Sequence, residues 1–454
     1  MLEDKGEFER ALHQLENILS KGEIDAFRTM FLDLHGFDRA QIIVQLDMEK
    51  RIQVYEFLSP EEMADIFENI ERDNQQTYLA EMHPLYASTM LSKMYTDDAV
   101  DVLSDMKPSE VAGYLNMMPE EASSDIKELL HYEEKTAGSL MTKEFIAVRS
   151  GQTVQEAMAL LKQQAPEAET IYYVYVIGPM QKLLGVLSLR TLIVASEEKL
   201  VDDILNERVL TVKVWEDQEE VAQRVKDYDL LAVPVVDVHD RMLGIITVDD
   251  IVDVIDEEAS DDYSKLAAAG DARMAERHAW ESAKKRLPWL IILLFLGMMT
   301  ATLIQQFEST LEQVAILAIF IPMIAGMAGN TGTQALAVAV RKIATKEANE
   351  ENHWRLILRE AGTGVITGAV CGTLITCLIA FWQNSLALGL LVGISIFFTL
   401  IVATLAGALV PLLMHRLRVD PAVASGPFIT TINDLISILI YFSAARLFLT
   451  FLLP

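Results

Sequence analysis

The chain has 454 residues, 51% of them apolar, yet its 66 acidic and 37 basic side chains leave a net charge of −29. One soluble globule cannot be both so apolar and so charged, and an excess of this sign repels nucleic acid and attracts cations. The conflict resolves along the chain: residues 1–281 hold 26 basic and 58 acidic side chains, a balance of −32, whereas residues 282–454 hold 11 and 8, a balance of +3.

The start, Met1 to Arg10, is charged and lacks the apolar stretch of a signal peptide, so the large N-terminal part is expected to stay in the cytoplasm. Residues 1–130 read as short helices. Ser59-Pro60-Glu61-Glu62 is a capping box with proline at the first helical position, and similar starts recur at Pro108-Ser109-Glu110 and Pro119-Glu120-Glu121. Evenly spaced short helices predict a small all-α superhelical stack.

A second domain is expected over 131–256, as two units of about 137–198 and 199–256. Val174–Ile177 aligns with Val233–Val236, Leu184–Ser188 with Leu243–Thr247, and Thr153–Lys162 with Asp217–Lys226. Each unit reads as helix, buried strand, turn, strand and helix. The pair resembles tandem cystathionine-β-synthase-type (CBS) domains, α/β modules that often sense adenine nucleotides or ions. Thr247 and Asp250 fit a T-x-x-D pattern suited to ribose and phosphate, and Ser188 holds the equivalent place in the first unit, followed by Thr191 rather than an acid. ATP is therefore only weakly signalled. A long polar helix is expected from Asp249 to Ala283, its 257–283 part forming the connection to the membrane.

Residues 284–454 predict five membrane-spanning helices, a span needing about 20 apolar residues. Charge is missing from Leu287 to Phe307, from Gln313 to Val340 and from Ala361 to Met414, the last long enough for two spans broken at Gln383-Asn384-Ser385. The final run, from Pro421 to Pro454, contains only Asp434 and Arg446. Lys284–Arg286, Arg341, Lys342, Lys346, Arg355, Arg359, Arg416 and Arg418 all fall on one side if the N-terminus is inside, which matches the positive-inside rule and puts the C-terminus outside. Cys371 and Cys377 lie six residues apart in one apolar segment, on different helix faces, so no disulfide is expected.

Within the last span Thr430, Asp434, Ser437 and Tyr441 form a polar stripe. An acid at that depth costs about 2.5–3.5 kcal/mol to insert, so it marks an ion path or a buried ion pair. Arg446 cannot be the partner within the span, since twelve residues are roughly 18 Å of helix. The second span carries Gly326-Met327-Ala328-Gly329-Asn330-Thr331-Gly332-Thr333-Gln334, which offers either amides and carbonyls to water or ions, or a face for close helix packing. Gly364, Gly368 and Gly372 read as a packing face. Asp250, Asp253, Glu257 and Asp261 share a helix face with Glu258 and Asp262 beside it. Asp97, Asp101, Asp217, Glu219 and Asp229 add further carboxylates. They form either a cation-sensitive cluster or a solvated acidic surface. The eight histidines form no zinc-like cluster, and no phosphate-binding loop is present, so neither zinc chemistry nor an ATP-driven pump is supported.

This order of parts resembles the MgtE family of bacterial magnesium channels over essentially the full length. Ala328–Gln334 is similar to the family's G-G-N-T-G-N-Q signature, and Asp420-Pro421-Ala422 through Asp434 to its last-span motif. The resemblance implies a homodimer in the bacterial plasma membrane, a multidomain fold and no catalytic residues. Its pore would be lined by the second and last spans, including Asn330, Thr331, Gln334 and Thr430. Asp434 would select the ion and Asp420 would lie at the pore mouth. It further implies regulatory magnesium at Asp97, Asp101, Asp217, Glu219, Asp229, Asp250, Asp253, Glu258, Asp261 and Asp262. Departures are Ala328 and Thr333 in the signature, Gly426 for an asparagine, Gln53 for a glutamate ligand and Thr191 for an aspartate used with ATP. The expected function is a magnesium-selective uptake channel closed by internal Mg2+. A proton- or sodium-coupled divalent-cation transporter is the alternative, and an anion channel under a nucleotide sensor ranks last because the interior acid is Asp434.

Overall fold

The computed structural model describes residues 5–104, 106–267, 279–344, 353–417, 419–420 and 426–452. The middle of the expected connecting helix (268–278), Lys346, Arg418 and the Pro421-Ala422 pair lie outside them. The chain forms two compact units, Met1–Glu257 and Glu258–Pro454.

The first unit begins with a helical stack more regular than its sequence advertises. Helices Gly36–Gln45, Pro60–Phe67, Pro84–Leu91 and Pro108–Leu115 begin at 36, 60, 84 and 108, a constant step of 24 residues, and each packs on the next. A second row, Arg72–Glu81, Thr96–Ser104 and Glu120–Leu129, keeps the same step. Helices this short are unstable alone, so the stack rests on its shared core of Phe27, Phe31, Ile42, Ile43, Met63, Ile66 and Phe67, all fully buried. Ser59 completes the expected capping box with Glu62, while His35 and His83 cap their helices by accepting from Phe37 and Leu85 N–H.

The CBS pair follows as two three-stranded sheets. In the first, β1 (Ala147–Arg149) runs parallel to β2 (Tyr173–Ile177), which pairs antiparallel with β3 (Leu183–Ser188). In the second, β4 (Val212–Lys213), β5 (Ala232–Val236) and β6 (Met242–Thr247) repeat the pattern, and the register shifts at the same place, between Val176 and Ile177 and between Val235 and Val236. The segment entering each unit is exchanged: Thr142 bridges to Ile245 of the second sheet, and Asn206 bridges to Val186 of the first. That exchange explains the glycine in each repeat. A Cβ at Gly185 would lie 2.8 Å from the Asn206 carbonyl oxygen, and one at Gly244 would strike the Thr142 carbonyl. The second sheet shares one core with the helical stack through Val212, Val233, Val235 and Ile246, and the helix after it joins that core through Ile251 and Val254.

The polar helix is already under way when the sheet ends. It runs from Val248, directly after β6, to Leu266.

In the second unit, five helices are long and apolar enough to cross a membrane: Ser282–Gln305, Ala315–Ile343, Trp354–Trp382, Leu386–Arg416 and Gly426–Phe448. The third and fourth break at the expected place, where Asn384 takes a left-handed φ of 48° and Ser385 caps the next helix by accepting from Leu388 N–H. Gly364, Gly368 and Gly372 are the face on which the fourth span lies, close against Ile401, Phe397 and Gly393. The second span is entered through a short helix, Glu308–Gln313, and a 3-10 stretch, Ala315–Phe320.

Gly244→Ala is expected to destabilise the soluble half by about 1–3 kcal/mol, the scale of an overpacked methyl. Denaturant unfolding measures it; an unchanged midpoint would show that the exchanged segment gives way without cost.

Candidate metal centre

Where the helical stack meets the CBS pair, three carboxylates converge. Asp97 comes from helix Thr96–Ser104, Glu169 from the segment ahead of β2, and Asp250 from the first turn of the linking helix. One oxygen of each lies within 4.8 Å of the others. Thr247 organises them: its N–H donates to Asp250 Oδ2 at 3.1 Å, and its hydroxyl lies 2.6 Å from that oxygen and 3.2 Å from Glu169 Oε1. Asp97 Oδ1 and Glu169 Oε2 are buried without any hydrogen-bond partner, although Asp97 is only 7% exposed. A second ring of acids stands close by. Glu68 accepts from Tyr95 N–H, and Glu144 accepts from the Thr96 and Thr142 hydroxyls.

The electrostatic consequence follows from burial and like charge. Loss of water raises Asp97 well above the ordinary carboxylate range, and Asp250 and Glu169 add repulsion. Burial and the neighbouring acids push Asp98 to about 8 and Glu169 to about 8. Burial raises Asp250 to about 6, with its bonds from Thr247 partly offsetting the shift. Such a group of oxygen ligands has two ways to escape its own repulsion, by holding protons or by holding a hard cation.

The remaining acids divide. Asp101 is ion-paired with Arg72, and Asp253, on the exposed side of the linking helix, is raised mainly by burial and by Asp249 while Arg72 lowers it. Asp217 caps helix Gln218–Asp227 by accepting from Glu219 N–H. Asp229 follows the far end of that helix with a left-handed φ of 51°, roughly 15 Å of helix from Asp217 and Glu219, so those three are not gathered. Glu258 is half-buried and Asp261 buried. Burial and Asp420 raise Asp262, and Lys265 lowers it. Lys265 Nζ lies 2.7 Å from Asp420 Oδ2, and Leu266 packs among Leu336, Val340, Phe428 and Ile429. Of the nucleotide candidates, Ser188 spends its hydroxyl capping the next helix with Thr191, and Thr247 faces the carboxylates.

In the fifth span the polar stripe separates by role. Tyr441 donates to the Leu317 carbonyl at 3.0 Å, Ser437 to the Asp434 carbonyl and Thr430 to the Gly426 carbonyl. The half-buried Asp434 carboxylate is left without a hydrogen bond or ion pair among the described residues. Arg446 lies over the Phe307 ring, 5.8 Å from its centroid. On the second span Asn330 and Gln334 are exposed and Thr331 half-buried, while Gly329 packs against Thr430.

Glu169 and Asn433 are the residues sequence reasoning passed over. Glu169 lies on no helix face and has no counterpart in the second CBS unit, so only the tertiary fold brings it to Asp97. Asn433 was visible as a polar residue beside Asp434 but stands off the stripe.

Known proteins carry the same parts. The profile of the MgtE divalent cation transporter matches residues 321–444, that of the MgtE intracellular N domain residues 34–135, and that of the CBS domain residues 137–198 and 201–257. Magnesium transporter MgtE of Enterococcus faecalis (strain V583) is 51% identical over 447 residues, 98% of this chain and 98% of that protein. The crystal structure of the soluble part of a magnesium transporter, 51% identical, covers 56% of this chain and 99% of that one with a TM-score of 0.54. The crystal structure of the cytosolic domain of the Mg2+ channel MgtE in complex with ATP, 36% identical, covers 54% and 99% with a TM-score of 0.51.

The raised carboxylates set a pH dependence of definite sign. Glu169 and Asp98 hold protons in the folded state up to about 8, whereas the unfolded chain releases them near the ordinary values of 4.5 and 3.8. Between those limits the folded state binds more protons, so the metal-free soluble half loses stability as pH rises from 5 toward about 8. Millimolar Mg2+ should flatten that slope, and binding should release protons, measurable by calorimetry in buffers of different ionisation enthalpy. Stability that rises with pH over this window would contradict the assignment.

Proposed function

The chain belongs to the MgtE magnesium transporter family, and on that premise we propose that it is a homodimeric, magnesium-selective channel for Mg2+ uptake across the bacterial plasma membrane, closed by Mg2+ bound to its acidic cytosolic half. As a member of that family it transports Mg2+ across a membrane as a multi-pass protein with a cytosolic N-terminal part, and it is not an enzyme. The observation that carries the channel reading is the Asp434 carboxylate, half-buried in an apolar helix and without a partner among the described residues, while Thr430, Ser437 and Tyr441 of the same stripe are hydrogen-bonded.

An acid left idle at that depth is too costly to keep. Magnesium gives up its waters reluctantly and is commonly held through them by one or two carboxylates. A twofold axis along the pore turns one Asp434 into two and supplies that site. Asn330, Thr331 and Gln334 of the second span and Thr430 of the fifth complete the lining, and Asp420 stands at the mouth. The passage then needs neither an energy source nor a coupled ion.

Closure follows from the soluble half. With Asp97, Glu169 and Asp250 ionised, the stack, the first CBS unit and the linking helix repel one another; a divalent cation between them reverses the sign. Asp101, Asp217, Glu219, Asp229, Asp253, Glu258, Asp261 and Asp262 provide further places for regulatory Mg2+, and for other divalent cations of similar hardness. The helix that carries Asp250 in its first turn carries Lys265 and Leu266 at its end, where they engage Asp420, Phe428 and Ile429. A cation bound at one end therefore biases the pore through its differential affinity for two positions of that helix. The hydroxyls of Ser188 and Thr247 bond Thr191 and Asp250.

Asp434→Asn keeps the shape and removes the charge. It is expected to yield a folded protein that has lost Mg2+ permeation, or its preference over Na+, by about tenfold or more, the scale of one uncompensated charge. Asp434→Glu should retain partial flux with altered selectivity. Mg2+ and Na+ uptake into proteoliposomes measures both, and wild-type selectivity in the Asn variant would remove Asp434 from the pore.

A further inference from the structure

Asn433 precedes Asp434 and is 1% exposed, yet it is spent on neither the ion nor a strong bond. Its Nδ2 reaches the Ala328 carbonyl at a long 3.4 Å, and its Oδ1 is buried with no hydrogen-bond partner. A buried amide left half-satisfied is destabilising by about 1–3 kcal/mol relative to a paired one, so its retention calls for a compensating role. Its seat shows one. The amide lies directly against the bare Cα of Gly332, where a Cβ would collide with Nδ2 and would stand 3.1 Å from Asn433 Cγ and from Ile429 Cγ2. One turn away Thr430 occupies the corresponding place over Gly329, its Cγ2 2.7 Å from where a Cβ would be. The two glycines are three residues apart on the second span, and Thr430 and Asn433 are three apart on the fifth, so the pairs mesh as two successive contacts of one crossing.

The angles decide what this meshing does. At 100° per residue, Asn433 and Asp434 sit roughly 60° and 40° either side of Thr430, with Ser437 and Tyr441 near the centre of the same face. The centre is pinned to the second span by the Tyr441 bond to Leu317, and one edge by Asn433 in the Gly332 notch. Asp434 therefore emerges at the opposite edge. Any change in how deeply Asn433 seats rotates the fifth span and swings the carboxylate.

We propose that Asn433 is a positioning residue for ion selection: seated in the notch left by Gly332, it fixes the rotation of the fifth span and so sets the spacing at which Asp434 meets a hydrated cation. The inference rests on the reading of Asp434 as the selecting group. It assigns the second glycine of the signature to the seating of one amide, and it makes selectivity among cations of different hydrated size depend on a residue that never touches them.

The test uses the full-length protein in proteoliposomes, with Mg2+, Ca2+ and Na+ uptake measured separately and folding checked by size-exclusion chromatography. Gly332→Ala should cut Mg2+ flux by roughly tenfold or more, because the methyl has nowhere to go in a close-packed crossing. Asn433→Ala in the same chain empties the notch and should restore flux to within about threefold of Asn433→Ala alone, a recovery of the kind expected of residues in direct contact. Asn433→Ala and Asn433→Leu should each keep a measurable Mg2+ flux while the Mg2+ to Ca2+ ratio falls by about threefold or more, the scale of a shift of one core side chain. A double variant as inactive as Gly332→Ala, or wild-type ion ratios in both Asn433 variants, would overturn the proposal. If Asp434→Asn were instead to keep wild-type selectivity, the premise would fail while the Gly332–Asn433 rescue still reported on the crossing itself.

Discussion

A carboxylate taken out of water must acquire a proton, a basic partner or a metal ion, and among the described residues no basic side chain pairs with the acids at either proposed site. Elsewhere it pairs its acids readily. Arg51 holds Glu81 through two bonds in the helical stack, Arg28 holds Glu62, and Lys143 holds Glu128. Asp97, Glu169 and Asp250 face one another instead, and Asp434 faces no partner among the described residues. The same deficit therefore creates a demand for cations twice, once in the soluble half and once within the membrane.

The two demands differ in what surrounds them. The soluble cluster is drawn from three separate elements, so its repulsion acts on the packing between a helical stack, a CBS unit and a long helix. On the proposed reading such a junction moves when an ion binds. Asp434 stands on a helix whose face is fixed by Tyr441 on Leu317, by Phe442 stacked on Phe307 at 4.8 Å between ring centroids, and by Asn433 against Gly332. On the proposed reading such a site selects the ion that it meets. A sensor needs compliance and a filter needs rigidity, and the proposed roles of the two sets of acids follow that division.

Much of this was legible in the sequence because it is written locally. An acid alone in an apolar run is conspicuous, as Asp434 is, and the five spans follow from where charge is missing. The tandem CBS units were visible because β2 and β5, and β3 and β6, match at a constant offset, down to Gly185 and Gly244. The 24-residue step of the helical stack was only half visible, because four equivalent starts carry different residues at the N-cap position: His35, Ser59, His83 and Lys107. Of these Ser59 alone forms a full box and Lys107 makes no side-chain cap bond. Glu169 and Asn433 were out of reach for another reason. Each matters through a partner far away in the chain, Asp97 in one case and Gly332 in the other, and no periodicity links such pairs. The helical spacing of Thr430, Asp434, Ser437 and Tyr441 is plain in the sequence, but which of them lacks a hydrogen bond among the described residues depends on carbonyls at Leu317 and Gly426 that sequence does not place.

If the proposed function holds, the acids of the soluble half and the acid of the span act as one device. The direct measurement is cation current through the purified wild-type protein in planar bilayers while cytoplasmic Mg2+ is stepped from zero to millimolar at constant ionic strength. A current carried by Mg2+ that shuts as internal Mg2+ rises, and stays open when K+ replaces it, is the predicted result. A current indifferent to internal Mg2+, or a flux that appears only with a proton or sodium gradient, would contradict it.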